Sequence, residues 1–286
     1  MTEDRYPTRL PSRSDVIDRS GPILWSQDAS LDGYEAKGYL VVNDMIGPDE
    51  VVACRAELAR LAADPRLRGD DRVVLEKRSR EIRSVFEVHR LSPLIAELVR
   101  DPRILGRARR LLGSEVYVHQ SRVNYMPGFT GTGFYWHSDF ETWHAEDGMP
   151  APRAVSMSLA LEDNHPYNGA LMVMPGSHRT FVPCVGETPA NHHKESLREQ
   201  EIGIPSQDDI TALAAAHGID QFTGPAGSAI WFDANIMHGS ANNITPFPRS
   251  NIFVVFNSVA NTLIEPFAAA EPRPDFIASR DFTPLE

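Results

Sequence analysis

The chain has 286 residues, 42% of them hydrophobic, with 28 Lys plus Arg against 39 Asp plus Glu and a formal net charge of -11 at pH 7. That is enough apolar material for a sizeable core, and an acidic balance argues against nucleic acid or an anionic membrane as partner, since both favour basic patches. No run approaches the ~20 apolar residues of a membrane span, and the N-terminus MTEDRYPTRLPSRSD lacks the apolar core of a signal peptide. The two cysteines, Cys54 and Cys184, form neither a CxxC pair nor a secreted-type framework. The expectation is a cytoplasmic protein that acts on a small molecule.

In chain order, residues 1–30 are polar and broken by Pro7, Pro11 and Pro22, which predicts an extended arm. Residues 34–42 lead into a short strand. Gly47-Pro48 opens a helix, with proline suited to the first turn, and Val51, Cys54, Leu58 and Leu61 recur at steps of three and four along one buried face. Residues 66–83 are dense in charge and read as a solvated helix or loop, or a lid. A second helical stretch covers 92–112. From 116 the period falls to two: Val116, Val118, Gln120, Arg122 and Asn124 alternate with Tyr117, His119, Ser121, Val123 and Tyr125, giving a strand with an unusually polar face. Further strands are expected at 153–161, 170–174, 228–233 and 250–259, separated by turn signals such as Asn168-Gly169 and Pro175-Gly176-Ser177, with an inserted helix at 206–217. Helices followed by many short strands predict a mainly β fold, a jelly roll supported by N-terminal helices. The expected organisation is one domain: an arm at 1–30, helical support at 31–115, a jelly-roll core at 116–262 and a C-terminal flap at 263–286.

The chemical signal is Tyr135-Trp136-His137-Ser138-Asp139. On an extended segment residues i and i+2 point the same way, so His137 and Asp139 can meet one metal ion. His238, after the apolar strand Ala229-Ile230-Trp231-Phe232, supplies a third ligand. Two histidines and one carboxylate are the facial set of non-haem Fe(II) oxygenases. An HxD pair among ten histidines is weak alone. Arg249, eleven residues after His238 and at the start of another strand, strengthens it, because a guanidinium fork there can hold the distal carboxylate of 2-oxoglutarate. Zinc remains an alternative metal for the same donors.

The string Phe134 to Pro150, FYWHSDFETWHAEDGMP, resembles the ectoine hydroxylases of the phytanoyl-CoA dioxygenase superfamily, and the likeness continues through Met174-Pro175-Gly176-Ser177-His178, Asn235 to Ser240 and Asn243 to Asn251. The resemblance covers roughly residues 15 to 275. It implies a double-stranded β-helix that converts ectoine to 5-hydroxyectoine with Fe(II), 2-oxoglutarate and O2, releasing succinate and CO2, and it implies a homodimer. By the same resemblance His137, Asp139 and His238 bind iron, Arg249 anchors 2-oxoglutarate, Asn124, Ser158 and Ser240 support the keto acid, and Gln120, Trp143, Phe256 and Arg273 surround ectoine. An aromatic face suits the amidinium of ectoine, an arginine its carboxylate, and Gln120 a ring nitrogen. Phe256 as plain core, Trp143 as an apolar plug and Arg273 as a surface arginine are the competing readings of those positions. Three other functions use part of this pattern: an oxygenase of the same superfamily acting on another small amino acid such as proline, a non-catalytic cupin-like binder, and a zinc hydrolase.

Overall fold

The structure is a computed structural model that describes residues 6, 9, 31–77, 79–186, 188, 189, 193 and 203–286. The expected arm at 1–30 therefore lies outside the described residues except for Tyr6 and Arg9, as does most of 185–205.

The support layer comes first. Helix α1 (Asp32–Lys37) stops at Gly38, which has φ +77° and passes so close to His178 that a Cβ would lie 2.4 Å from its Nδ1; only glycine fits there. Strand β1 (Tyr39–Val42) and helix α2 (Pro48–Ala63) follow, and α2 buries Val51, Cys54, Leu58 and Leu61 as their spacing predicts. The stretch 92–112 is not one helix: Pro93 and Pro102 start separate helices, α4 (Pro93–Arg100) and α5 (Pro102–Leu112), after the short turn α3 (Val88–Leu91), with Ser92 and Asp101 as caps.

The charged run 66–83 departs from expectation. It forms a hairpin, β2 (Val73–Leu75) and β3 (Ile82–Phe86), that extends the main sheet. Glu76 and Arg83 are its buried ends, paired at 3.1 Å, so these two charges face inward and only their neighbours are solvated.

The core is two antiparallel sheets. Strands β4 (Val116–Met126), β6 (Ala154–Ala160), β9 (Ala229–Asp233) and β11 (Arg249–Ser258) join β1, β2 and β3 in the order β1-β9-β6-β11-β4-β3-β2. The smaller sheet is β5-β10-β7-β8, made of Phe134–His137, His238–Ser240, Leu171–Val173 and Asp220–Gln221. This is the expected jelly roll. Helix α7 (Gln207–His217) is the predicted insertion. The outer face of the large sheet packs on the helices through residues such as Val155, Met157, Trp231, Ile252, Val254 and Phe256. Its inner face looks toward the small sheet and carries the site.

One detail changes which residues look inward. Opposite Val255 and Phe256, β4 offers Gln120 and Val118, so His119 is an extra residue in that strand. Such a bulge shifts the phase of the alternation. Val116 and Val118 face the helices before it, and Val123 and Tyr125 do so after it. The predicted single face Val116, Val118, Gln120, Arg122, Asn124 therefore does not exist, and His119, Gln120, Arg122 and Asn124 lie together on the inner side.

Candidate metal and oxo-acid site

His137 ends β5, Ser138 stays extended and caps the next turn, and Asp139 opens the short helix α6 (Asp139–Thr142). His238 begins β10 and is paired in register with His137. The donor atoms of His137, Asp139 and His238 all lie within 4.8 Å of one another. Each histidine sets its Nδ1 against the carbonyl two residues back, His137 on Tyr135 at 2.6 Å and His238 on Ile236 at 3.0 Å. With Nδ1–H donating there, both Nε2 lone pairs are left facing the Asp139 carboxylate, 3.7 and 3.8 Å from its oxygens. Three donors on one side of a point, with tautomers pinned from behind, fit a ferrous ion. Burial, with His238 adding to it, pushes the His137 imidazole down to about 4, so it is neutral and able to ligate. Burial acts to raise the Asp139 carboxyl, but His238, His137, Arg122 and Arg273 outweigh it and hold it low, hence ionised. Ser156 donates to Asp139 Oδ2 at 3.4 Å.

His137 and His238 open into a cavity whose walls also include Asn124, Ser240, Phe253 and Arg249. Arg249 is buried, its Nη1 donates to Asn251 Oδ1 at 2.9 Å, and its Nε has no partner. No carboxylate pairs with it among the described residues. Burial, with repulsion from Arg83, pulls its guanidinium down to about 10, which leaves it cationic at neutral pH. A buried cation without a counter-ion is costly unless a ligand supplies one. Ser240 accepts from the Phe134 amide at 3.1 Å and Asn124 from Ser84 at 2.7 Å. Ser158 does not line the cavity. It accepts from Asn251 at 3.0 Å, and Asn251 in turn accepts from Arg249, so it reaches Arg249 through a chain of two hydrogen bonds.

The other expected contacts divide. Trp143 is buried at the head of a π-helical turn (Trp143–Asp147), edge-on to His119 at 5.0 Å between centroids. Arg273 is not a surface arginine. The C-terminal segment folds back, and Arg273 grips Asp147 at two points, Nε to Oδ1 at 2.7 Å and Nη2 to Oδ2 at 2.5 Å. Gln120 reaches the same segment, donating to the Ile277 carbonyl at 2.8 Å. Phe256 is a correction: it stacks on Trp231 in the core between sheet and helices, fully buried on the outer face. Strand alternation places Phe253 inside in its stead.

Arg122, Phe134 and Arg83 also line the cavity, and none of them stands out in the sequence as a site residue. Arg122 stands inward two residues before Asn124, its guanidinium 5.1 Å from the Phe253 ring and 5.7 Å from that of Phe134; the polar alternation was its one signal. Phe134 stands three residues before His137, where the metal motif masks it. Arg83 lies over the Phe134 ring at 4.0 Å and donates to the Thr132 and Gly133 carbonyls. Its position in a charged run hid it.

The family model "Phytanoyl-CoA dioxygenase (PhyH)" matches residues 34–251. The chain is 66% identical over 284 residues to an ectoine dioxygenase of Nocardia farcinica, covering 99% of this chain and 95% of that one. Among solved structures it resembles EctD from S. alaskensis with bound Fe, at TM-score 0.86 and 44% identity, covering 99% of this chain and 97% of that one. The same protein with 2-oxoglutarate and 5-hydroxyectoine matches at TM-score 0.84 and 44% identity, over 97% and 95% of the two chains. With the family pattern spanning most of its length and the triad in place, the chain belongs to the phytanoyl-CoA dioxygenase family.

Proposed function

We propose that this chain hydroxylates ectoine to 5-hydroxyectoine with Fe(II), 2-oxoglutarate and O2, releasing succinate and CO2. The observation that carries the reading is an iron-suited triad on one cavity with Arg249, which is buried and pairs with no carboxylate among the described residues. The ectoine dioxygenase relatives and the EctD structures point to the substrate.

In this reading His137, Asp139 and His238 hold the metal on one side and leave its other side open. When bound, iron supplies the oxygen activation and the hydrogen abstraction that no side chain can perform. Arg249 takes the distal carboxylate of 2-oxoglutarate in a two-point contact, and Asn251 and Ser158 hold the guanidinium in place. Asn124 and Ser240 present polar atoms to the rest of the acid. On the Trp143 side, the indole face attracts the delocalised amidinium, Gln120 steadies the C-terminal segment, and Arg273 offers a cation to the substrate carboxylate. The buried walls exclude water, which strengthens each of these contacts. The whole chain acts as one catalytic unit, with 263–286 folded over the substrate side. A homodimeric, cytoplasmic enzyme belongs to the same reading; Cys54 and Cys184 are buried and form no disulfide, as a reducing compartment allows. No helix among the described residues is long and apolar enough to cross a membrane.

The test is anaerobic loading with Fe(II) and 2-oxoglutarate, then admission of O2 with ectoine or proline. A mass gain of one oxygen atom on ectoine, coupled to succinate release, is expected. Hydroxylation of proline in its place, or no 2-oxoglutarate turnover with either, overturns the proposal.

A further inference from the structure

The π turn that carries Trp143 also carries Glu146 and Asp147, all three buried, and Glu141 lies just before it. Three carboxylates in so small a buried volume require cations. One is Arg273. The other comes from the far N-terminal arm. Arg9 donates from Nη1 to Glu146 at 2.5 Å and to Thr188 at 2.8 Å, and from Nε and Nη2 to the two oxygens of Glu141 at 3.2 Å each. Both partners of these ion pairs have side chains no more than 2% exposed. Tyr6 seats the same arm, with its ring 5.0 Å from those of Phe140 and Phe181.

We propose that Arg9 is a positioning residue for the substrate side of this site: by satisfying Glu141 and Glu146 it leaves Arg273 committed to Asp147. The geometry that argues this is the spacing around Glu146. Its Oε1 faces Arg9 and its Oε2 lies 3.8 Å from Arg273 Nε. Removing Arg9 leaves Glu146 buried with Arg273 as its remaining cation among the described residues. The attraction then draws Arg273 off Asp147 and twists the turn that sets Trp143. Neither Tyr6 nor Arg9 lines the cavity that holds Arg249, so the oxo-acid end is spared. The inference rests on the proposed function in one respect, that ectoine occupies the Trp143 and Arg273 side.

The experiment uses the full-length, Fe(II)-loaded protein as wild type, Arg9→Ala and the double variant Arg9→Ala with Glu146→Gln. The expected result for Arg9→Ala is an ectoine KM raised roughly tenfold with the 2-oxoglutarate KM within about twofold of wild type, a size usual for coupling between neighbouring charges. The double variant, which removes the stranded charge that lies beside Arg273 and leaves that of Glu141, is expected to recover most of that loss; a merely structural role gives no such recovery. Hydrogen exchange is read alongside, with faster exchange expected across 139–148 and 264–280 in Arg9→Ala and reversal in the double variant. If Arg9→Ala does not fold, Arg9→Lys, which keeps the charge and loses the two-point contact, is expected to show the same split in milder form. An unchanged ectoine KM, or both KM values rising together without recovery, overturns the proposal. Should wild type not oxidise ectoine, the functional reading fails by itself, and the exchange data judge Arg9: unaltered exchange across 139–148 overturns it.

Discussion

His137 and His238 face each other across the β5–β10 pair, with ring centroids 4.2 Å apart and each Nδ1 tied to the carbonyl two residues before it. Two strands thus bring two imidazoles to one point before any metal arrives. Asp139 completes the set from the first turn of α6. Because altering groups behind metal ligands already weakens binding about 10–100-fold, Asp139→Ala is expected to lower Fe(II) affinity by at least about a hundredfold. Anaerobic titration with Fe(II) measures this, and unchanged affinity defeats the assignment.

Arg249 is expected to show opposite effects on stability and function. Arg249→Met removes a buried cation that no carboxylate among the described residues neutralises, so the metal-free protein should gain stability, by about 1–2 kcal/mol. The same variant should lose 2-oxoglutarate binding, with the KM raised roughly thirtyfold or more, the usual consequence of truncating one partner of a buried charge pair. Thermal melts with and without 2-oxoglutarate check both halves: the ligand should raise the melting temperature of wild type and not that of the variant.

Phe253 and Phe256 separate function from packing on one strand. Phe256→Ala empties a core position and should cost about 3–5 kcal/mol of stability, with the ectoine KM near that of wild type. Phe253→Ala opens the cavity wall and should alter substrate KM more than stability. Chemical denaturation paired with steady-state kinetics distinguishes them; the reverse pattern would restore Phe256 to the substrate side.

Asp233 governs part of the pH dependence of stability. Burial pushes its carboxyl up from 3.8 to about 7, against the hydrogen bonds it accepts from the Asn235 amide and Tyr34. The folded state therefore binds a proton that the unfolded state has released between these two values. Stability should fall as pH rises from about 4 to about 7 and level off above, by no more than roughly 4 kcal/mol from this group. Asp233→Asn should flatten that segment and melt higher than wild type at pH 8. Parallel slopes for the two proteins in melts from pH 4 to 8 would contradict this.

Much of the site was legible because metal and oxo-acid chemistry restricts residue type. His137, His238 and Arg249 stand at strand ends and Asp139 two residues past one, where turn residues and apolar runs mark the position. The jelly roll and the buried stripe of α2 were legible for a related reason, since hydrophobic period records which side of an element meets the core. Arg83 was not, because a charged run looks solvated until a hairpin turns two of its charges inward. The face that Phe256 occupies is not legible either, because alternation along β11 does not say which set of side chains meets the helices.

The amino-acid sequence by itself determined the chemistry on offer: which donors can hold a metal ion, which arginine can meet an oxo-acid, and which apolar periods build the two layers. Only the tertiary structure decided phase and long-range pairing. One extra residue at His119 moves Gln120, Arg122 and Asn124 to the inner side, because side chains on a strand alternate and a bulge shifts the count. Arg9 meets its carboxylates across 132 and 137 residues of chain, a separation over which local pattern carries no information and only folding brings the charges together.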